Sequence, residues 1–568
     1  MSIESSYERW LSSPRVDEET KTILRQMGEK EKADAFFKDI EFGTGGMRGI
    51  LGPGTNRMNV HTVGRVAVAF GLFLQKKFPG ELSRGVSISH DNRHMSREFS
   101  ELSAKILNKM GIKCYLFDAL RPTPELSYAV RYTNGIGGIM VTASHNPKEY
   151  NGYKLYDETG CQLVPDVIQP MLDILAGLPD ELSFEIPEAA KQEETVIFDK
   201  KIDDDYVALV KGCQINPDLN KKGFKVVYTP QHGASYENAI RVFQECGYEI
   251  HPVECQCTHD PDFGGTLSPN PENKEAYIEA IKLAKKIDAE LIVTTDPDGD
   301  RCGLGFKDKN GEYQLLTGNQ SAALLIDYIF SERKKKGELS KDGVMYDTIV
   351  TSSFGRDIAA SYGIKTESFL TGFKFIGDRI HHYEKLGKGP HFEFGYEESY
   401  GCLVQPFVRD KDGLQAILLY SEMALFHHLH GESLDVAYEK LQEKHGFHDA
   451  RNVSYNFPGP EGAAKMKELT GTLREKPLKE IEGIKVVRFE DYQRREIYEG
   501  GKKVGTIDLP VSDVLKFICE DTSTVEVRPS GTEPKIKFYV EAVAKTKEEL
   551  SGKFERMLLS LEKTLGLK

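Results

Sequence analysis

Cysteine is scarce in this chain, nine in 568 residues, too few for a scaffold stapled by disulfides. The one close pair, Cys255 and Cys257, has neither a second pair nor a ligating histidine cluster, so ordinary reduced thiols are expected rather than a zinc site. Basic charge is also short, 74 Lys and Arg against 88 Asp and Glu, for a net charge of −14. That deficit excludes broad nucleic-acid or anionic-membrane surfaces, which need a basic face. A small anionic substrate stays open, because a pocket can be basic on an acidic protein. The longest apolar run, around 66–74, is far below the ~20 residues of a membrane span. The opening Met1-Ser2-Ile3-Glu4-Ser5-Ser6 lacks the basic and apolar regions of a secretory signal. A cytoplasmic protein is expected. Low-complexity segments and strict short-period repeats are missing as well.

What is present describes a globular protein with ample core: 39% hydrophobic and 29% charged residues. At roughly 150 residues per domain, the length suggests three to four domains. One pattern recurs, an apolar β-branched run followed by a loop of Gly, Ser, Asp or Pro. Gly137-Gly138-Ile139-Met140-Val141-Thr142 runs into Ala143-Ser144-His145-Asn146-Pro147. Phe224-Lys225-Val226-Val227-Tyr228-Thr229 runs into Pro230-Gln231-His232-Gly233, and Leu291-Ile292-Val293-Thr294-Thr295 into Asp296-Pro297-Asp298-Gly299-Asp300. Such strands, alternating with helices, read as α/β layers with ligand loops at the carboxyl ends of the strands. The Pro-, Glu- and Asp-rich stretch 178–201 leads out of a first unit. A second holds 205–310, and a third starts near Tyr313 with a strand over 344–351 and a helix over 415–430. After about 445, short strands at 484–489, 524–527 and 536–540 precede a terminal helix with Leu550, Phe554, Met557, Leu558, Leu561 and Leu565 at helical spacing. This last part reads as a small α+β domain.

Five loops are candidates for chemistry. In Thr142-Ala143-Ser144-His145-Asn146-Pro147, followed by Asn151-Gly152-Tyr153-Lys154, a serine at a strand tip is placed to act as a nucleophile. His145 is a poor triad base, since triad partners come from separate parts of the chain, and the G-x-S-x-G elbow is missing. A polar capping turn is the plainer reading of this loop by itself. Asp296-Pro297-Asp298-Gly299-Asp300-Arg301 sets three carboxylates at alternate positions, suited to one hard cation such as Mg²⁺. An EF-hand fails here, because Arg301 and Lys307 stand where Gly and Glu are needed. A solvated turn would leave three aspartates repelling one another. Gly43-Thr44-Gly45-Gly46-Met47-Arg48-Gly49 matches neither a P-loop nor G-x-G-x-x-G, though its N–H groups and Arg48 suit an anion. Gly395-Tyr396-Glu397-Glu398-Ser399-Tyr400-Gly401 offers acceptors for sugar hydroxyls, or is a polar turn. Arg528-Pro529-Ser530-Gly531-Thr532-Glu533-Pro534-Lys535, with Lys537 beyond, suits a phosphate dianion, or is an exposed β-turn.

Together and in this order, the five loops resemble those of the α-D-phosphohexomutase family, the phosphoglucomutases and phosphomannomutases. The resemblance spans about 42–539, and the T-A-S-H-N-P and D-P-D-G-D-R strings are its most specific parts. It implies three similar α/β domains with mixed sheets plus a C-terminal α+β domain, around a central cleft. With the soft boundaries above, these become 1–203 with a phosphoserine loop, 204–312 with a metal loop, 313–445 with a sugar loop and 446–568 with a phosphate loop.

The resemblance also implies roles. Ser144 would bear the transferred phosphoryl group, and Asp296, Asp298 and Asp300 would hold Mg²⁺ with the Ser144 phosphate completing the site. Arg48, His145, Lys154 and Arg301 match basic or proton-shuttling residues around it. Lys374, in Thr371-Gly372-Phe373-Lys374, matches a residue orienting sugar and phosphate. Glu397 and Ser399 match sugar contacts. Arg528, Ser530, Gly531 and Thr532, and less securely Lys537, match a clamp on the non-reacting phosphate. The Glu-Glu-Ser triplet resembles the glucose type. Tyr396, where many members have Gly, resembles the branch of bacterial phosphoglucomutases and eukaryotic phosphoglucomutase/phosphopentomutases. The implied activity is interconversion of glucose 1-phosphate and glucose 6-phosphate through glucose 1,6-bisphosphate, which would also serve as activator. Pentose or mannose phosphates and bisphosphate synthesis remain alternatives. The expected partners are small sugar phosphates, with neither nucleic acid nor membrane, for a monomer or dimer.

Overall fold

The structure is a computed structural model and describes residues 2–43, 45–457, 459–530 and 535–567. It divides into two compact units, Met1–Gly318 with Gly372–Gly431, and Asn319–Thr371 with Glu432–Lys568.

The first unit holds two mixed sheets. In one, the strand order in space is Phe42–Gly43, Gly46–Ile50, Tyr150–Tyr156, Gly137–Val141, Val86–His90, Cys114–Leu116 and Thr195–Ile197. Val86–His90 runs parallel to both Cys114–Leu116 and Gly137–Val141, whereas Tyr150–Tyr156 turns back antiparallel. Every residue of Val86–His90 and Gly137–Val141 is buried, as strands covered by helices on both faces must be. Helix Val60–Lys77 is one such cover. Asn59 starts it by accepting from the His61 and Thr62 N–H groups in a capping box, and Val63, Phe70 and Leu74 reach the same core as Ile88, Ile139 and Val141. The stretch 178–201 contributes more than an exit from the domain, because Thr195–Ile197 forms the sheet edge beside Cys114–Leu116.

The second sheet runs Tyr313–Leu316, Cys302–Lys307, Leu291–Thr295, Lys225–Thr229 and Glu249–Pro252. Its last three strands are parallel and its first two antiparallel additions. The hairpin His391–Glu397 and Gly401–Leu403 and the buried helix Gly413–Leu429 complete the unit.

The second unit contains the parallel pair Gly343–Thr348 and Lys365–Phe369 and a large antiparallel sheet. In that sheet Phe447–Asn456, Lys535–Ala544, Thr524–Pro529, Leu515–Cys519 and Ile484–Asp491 are successive neighbours. Phe554, Met557 and Leu561 of helix Lys553–Leu565 pack on Phe517, Val525 and Phe538. Leu550 lies outside that helix, in the short Lys547–Leu550, because Gly552 takes a left-handed φ of 66° and breaks the run. Among the described residues no helix is long and apolar enough to cross a membrane.

Candidate active site

Strand Gly137–Val141 delivers the serine loop from the buried sheet. Ser144 itself has a left-handed φ of 52°, uncommon for a residue with a Cβ. The turn is held by its own N–H, which donates to Thr142 Oγ1 at 2.8 Å. The hydroxyl donates to Asp296 Oδ2 at 2.7 Å and lies 3.2 Å from His145 Nδ1. Ser144 is only 2% exposed, so its oxygen faces the aspartate loop and not bulk water.

Strand Leu291–Thr295 delivers that second loop in the same way. Gly299 is required at its bend: φ is 71°, and a Cβ there would lie 2.1 Å from Ser235 Oγ and 2.8 Å from Pro122 Cβ. The bend turns Asp296, Asp298 and Asp300 inward, each offering a carboxylate oxygen within 4.8 Å of the others. Asp296 accepts from the Arg301 N–H as well as from Ser144, and Asp298 Oδ2 accepts from Thr123 Oγ1 at 3.0 Å. Asp298 Oδ1 and Asp300 Oδ1 are buried oxygens without a hydrogen-bond partner. Buried acceptors are normally satisfied, and three carboxylates around two open oxygens fit a hard divalent cation.

Electrostatics divide the three acids. Burial and the nearby Asp298 charge push Asp296 far above the ordinary carboxylate range. Burial and Asp300 act in the same direction on Asp298, but the Lys154 ammonium outweighs them and holds it low. For Asp300, burial is overcome by Lys411, Lys154 and Arg301. Lys154 Nζ stands 2.7 Å from Asp298 Oδ2 and 3.5 Å from Asp300 Oδ2. It reaches them from strand Tyr150–Tyr156, next to Arg48, which is paired through its own strand with Gly152. A side chain at Gly152 would strike the Thr142 carbonyl at 2.4 Å, so glycine lets these strands approach. Arg301 pairs with Glu272 at 2.8 Å. Burial, with Arg301 and Arg48 adding positive charge, keeps the His145 imidazole well below its usual range, and so neutral.

Glu397 ends strand His391–Glu397, is buried, and accepts from the Gly372 N–H at 2.8 Å. Ser399 follows in the turn before Gly401–Leu403. Lys374 opens helix Lys374–Leu386 and is 5% exposed; burial lowers its pKa to about 8.

Three contributors escaped sequence reasoning. Lys411 Nζ lies 3.2 Å from Asp300 and 3.6 Å from Glu397, joining the aspartate and glutamate loops. A Cβ on Gly401 would sit 2.0 Å from the Lys411 side chain, which explains that glycine. Thr123 holds Asp298 by both its hydroxyl and its N–H. Glu272 orients Arg301. The charged run Arg409-Asp410-Lys411-Asp412 before an apolar helix was the one legible signal among these.

In the second unit, Arg528 and Lys537 are direct cross-strand partners. Beyond that pair the Ser530 N–H donates to the Lys535 carbonyl at 2.8 Å. Residues opposite one another share a sheet face, and Lys535, two residues from Lys537, shares it too. This face therefore carries three basic residues at neighbouring positions. Gly531 and Thr532 lie outside the described residues.

Four family profiles match the chain in order. Those of phosphoglucomutase/phosphomannomutase α/β/α domains I, II and III match 39–178, 204–311 and 317–445, and that of the C-terminal domain matches 463–557. The chain is 34% identical over 557 residues to a phosphoglucomutase of Staphylococcus aureus, covering 97% of this chain and 98% of that one. Its fold is similar to parafusin of Paramecium, a phosphoglucomutase solved in an open form, with a TM-score of 0.68, 20% identity, and 93% and 94% of the two chains covered. A phosphoglucomutase/phosphomannomutase family protein of Burkholderia thailandensis has a TM-score of 0.65 at 19% identity, with 92% and 97% covered.

Proposed function

Since the chain belongs to the phosphoglucomutase/phosphomannomutase family, we propose that it interconverts α-D-glucose 1-phosphate and glucose 6-phosphate, as an isomerase-class intramolecular phosphotransferase. The observation that carries this reading is the 2.7 Å bond joining Ser144 Oγ to one of three converging aspartates.

In this reading Ser144 carries a phosphoryl group. The 6-hydroxyl of glucose 1-phosphate attacks that phosphorus, and the bond to Ser144 Oγ breaks. Glucose 1,6-bisphosphate then reverses its orientation, Ser144 Oγ attacks the 1-phosphate, and glucose 6-phosphate leaves. Asp296, Asp298 and Asp300, with the Ser144 phosphate, would hold Mg²⁺, which when bound neutralises charge on the phosphoryl oxygens. Arg48, Lys154 and Arg301 extend that neutralisation. Neutral His145 stands with Nδ1 beside Ser144 Oγ, within hydrogen-bond reach of that oxygen. Glu397 and Ser399 accept from sugar hydroxyls, and Lys374 orients sugar and phosphate. Arg528, Ser530, Gly531, Thr532 and Lys537 bind the phosphate that is not reacting. A distal anion site of this kind separates a mutase from a phosphatase, which needs none. The four-domain division ending at 203, 312 and 445 belongs to the same reading. So do small sugar phosphates as partners, a cytoplasmic location and a monomeric or dimeric state.

A coupled assay with glucose 1-phosphate, mannose 1-phosphate and ribose 1-phosphate, with and without glucose 1,6-bisphosphate, tests it. Preference for the glucose ester and activation by the bisphosphate are expected. A ribose or mannose preference would replace the substrate, and release of inorganic phosphate without isomerisation would overturn the mutase.

A further inference from the structure

Arg93 is buried, 3% exposed, behind the serine loop, and every N–H of its guanidinium is bonded, three of the five to that loop. Nη2 donates to the carbonyls of Ser144 at 2.6 Å and Asn146 at 2.5 Å. Nη1 donates to those of Pro147 at 2.7 Å and Tyr150 at 3.0 Å. Nε donates to Asp91 Oδ2 at 3.1 Å. A guanidinium has five N–H groups, and five acceptors meet them here. No donor is left for a substrate phosphate, so Arg93 acts through the loop.

The network reaches the serine from a second side. The Asp91 N–H extends the ladder beside strand Gly137–Val141 by donating to the Val141 carbonyl at 3.1 Å. Asp91 Oδ2 also accepts from Thr142 Oγ1 at 2.7 Å, the same hydroxyl that receives the Ser144 N–H. Asp91 Oδ1 accepts from Ser96 Oγ and from the Arg93 N–H. The Phe263 ring lies 5.1 Å from the guanidinium carbon and closes the outer side. Both peptide groups of Ser144 are thereby tied to one buried ion pair. Left-handed residues with a Cβ persist only where their surroundings hold them.

We propose that Arg93 is a positioning residue for phosphoryl transfer: by bonding three carbonyls of the serine loop and that of Tyr150 at the start of the next strand, it holds Ser144 in its left-handed conformation and aims Oγ at the aspartate loop. This rests on the reading of Ser144 as phosphoryl carrier. Displacing a reacting group by about 1 Å costs on the order of 100-fold in rate. Arg93→Lys keeps the charge but has three donors for five acceptors. It should therefore lower kcat about 100-fold while leaving KM for glucose 1-phosphate within about twofold, because no sugar or distal-phosphate contact is touched.

Rates are expressed per mole of phosphorylated Ser144, counted by intact mass after acid quench, so that misfolded protein drops out. A normal kcat on that basis, or a loss lying wholly in KM, would overturn the proposal. If Arg93→Lys does not fold, Asp91→Asn carries the test: it loosens the anchor at Nε and should give the same pattern with a loss of about tenfold, and an unchanged kcat there overturns the proposal equally. Wild type in the same assay separates the two readings. Lack of Ser144 phosphate or turnover in wild type condemns the mutase reading, whereas a phosphorylated, active wild type beside a normal variant condemns only the role of Arg93.

Discussion

The Ser144 hydroxyl donates to Asp296 Oδ2 across 2.7 Å, joining two loops 152 residues apart in the chain. Each loop leaves the carboxyl end of its own buried strand, one in each sheet of the first unit. Candidate nucleophile and candidate metal ligand thus meet through the packing of two separate layers.

Ser144→Ala removes the proposed carrier and should abolish turnover while leaving the thermal transition in place. Intact-mass spectra of active wild type should show a phosphate adduct that the variant lacks. Turnover near normal in the variant would be incompatible with a phosphoserine route.

Asp298→Asn replaces a charged oxygen ligand and unbalances the buried pair with Lys154 at 2.7 Å. The expected result is a Mg²⁺ activation curve displaced to higher concentration by at least tenfold, with lower maximal activity. An unmoved curve would mean that the three aspartates do not serve as metal ligands.

In its proposed role of orienting sugar and phosphate, Lys374 should give the activity a pH dependence. Burial lowers its pKa to about 8, and only the protonated form attracts phosphate. Its contribution is complete well below pH 8 and is lost as pH rises through that value. A decline of kcat/KM on the alkaline side is expected, and Lys374→Arg, which stays charged, should carry the decline to higher pH. The same alkaline limb in both proteins would assign it to another group.

Arg528 faces Lys537 across the antiparallel pair. Truncating one partner of a desolvated charge contact costs ~2–5 kcal/mol, which is roughly a 30- to 4,000-fold loss of kcat/KM for Arg528→Ala. Both reaction directions should suffer, and demand for added glucose 1,6-bisphosphate should rise as the intermediate escapes. Impairment in one direction only, measured far from equilibrium, would place the distal phosphate elsewhere.

Glu541 gives a stability test confined to the second unit. Although burial opposes its ionisation, His448 at 3.0 Å, the Ser352 hydroxyl and the Ser353 N–H bring its pKa down from 4.5 to about 2. The folded-state value lies below the unfolded one, so this stabilisation is present above about pH 4.5 and is lost as pH falls toward 2. Glu541→Gln puts an amide NH2 where one carboxylate oxygen accepted from the Ser352 hydroxyl or the Ser353 N–H, and should destabilise the second unit by about 1–3 kcal/mol near neutrality. It should also flatten the acid limb of the unfolding midpoint plotted against pH. An unchanged limb would show that other acids set it.

Much of the site was legible because its chemistry is local. Asp296-Pro297-Asp298-Gly299-Asp300 places alternate carboxylates on a glycine bend, and Ser144 follows an apolar strand, so both loops declare themselves within a few residues. Lys411, Thr123 and Glu272 did not, since each acts on an aspartate or arginine far away in sequence. Arg93 was equally silent, as an arginine bonded to carbonyls has no partner type to recognise in a sequence.

The sequence alone determined the alternation of buried strands and helices, the order of the loops, and family membership, because periodicity, turn residues and short motifs are properties of neighbouring positions. The tertiary structure decided the rest. It gave Ser144 its left-handed turn, left Asp298 and Asp300 with open oxygens, and set Lys154 and Lys411 against them. Charge balance in a buried site depends on distances of a few ångströms between loops, and only the packing of the sheets that carry those loops sets such distances.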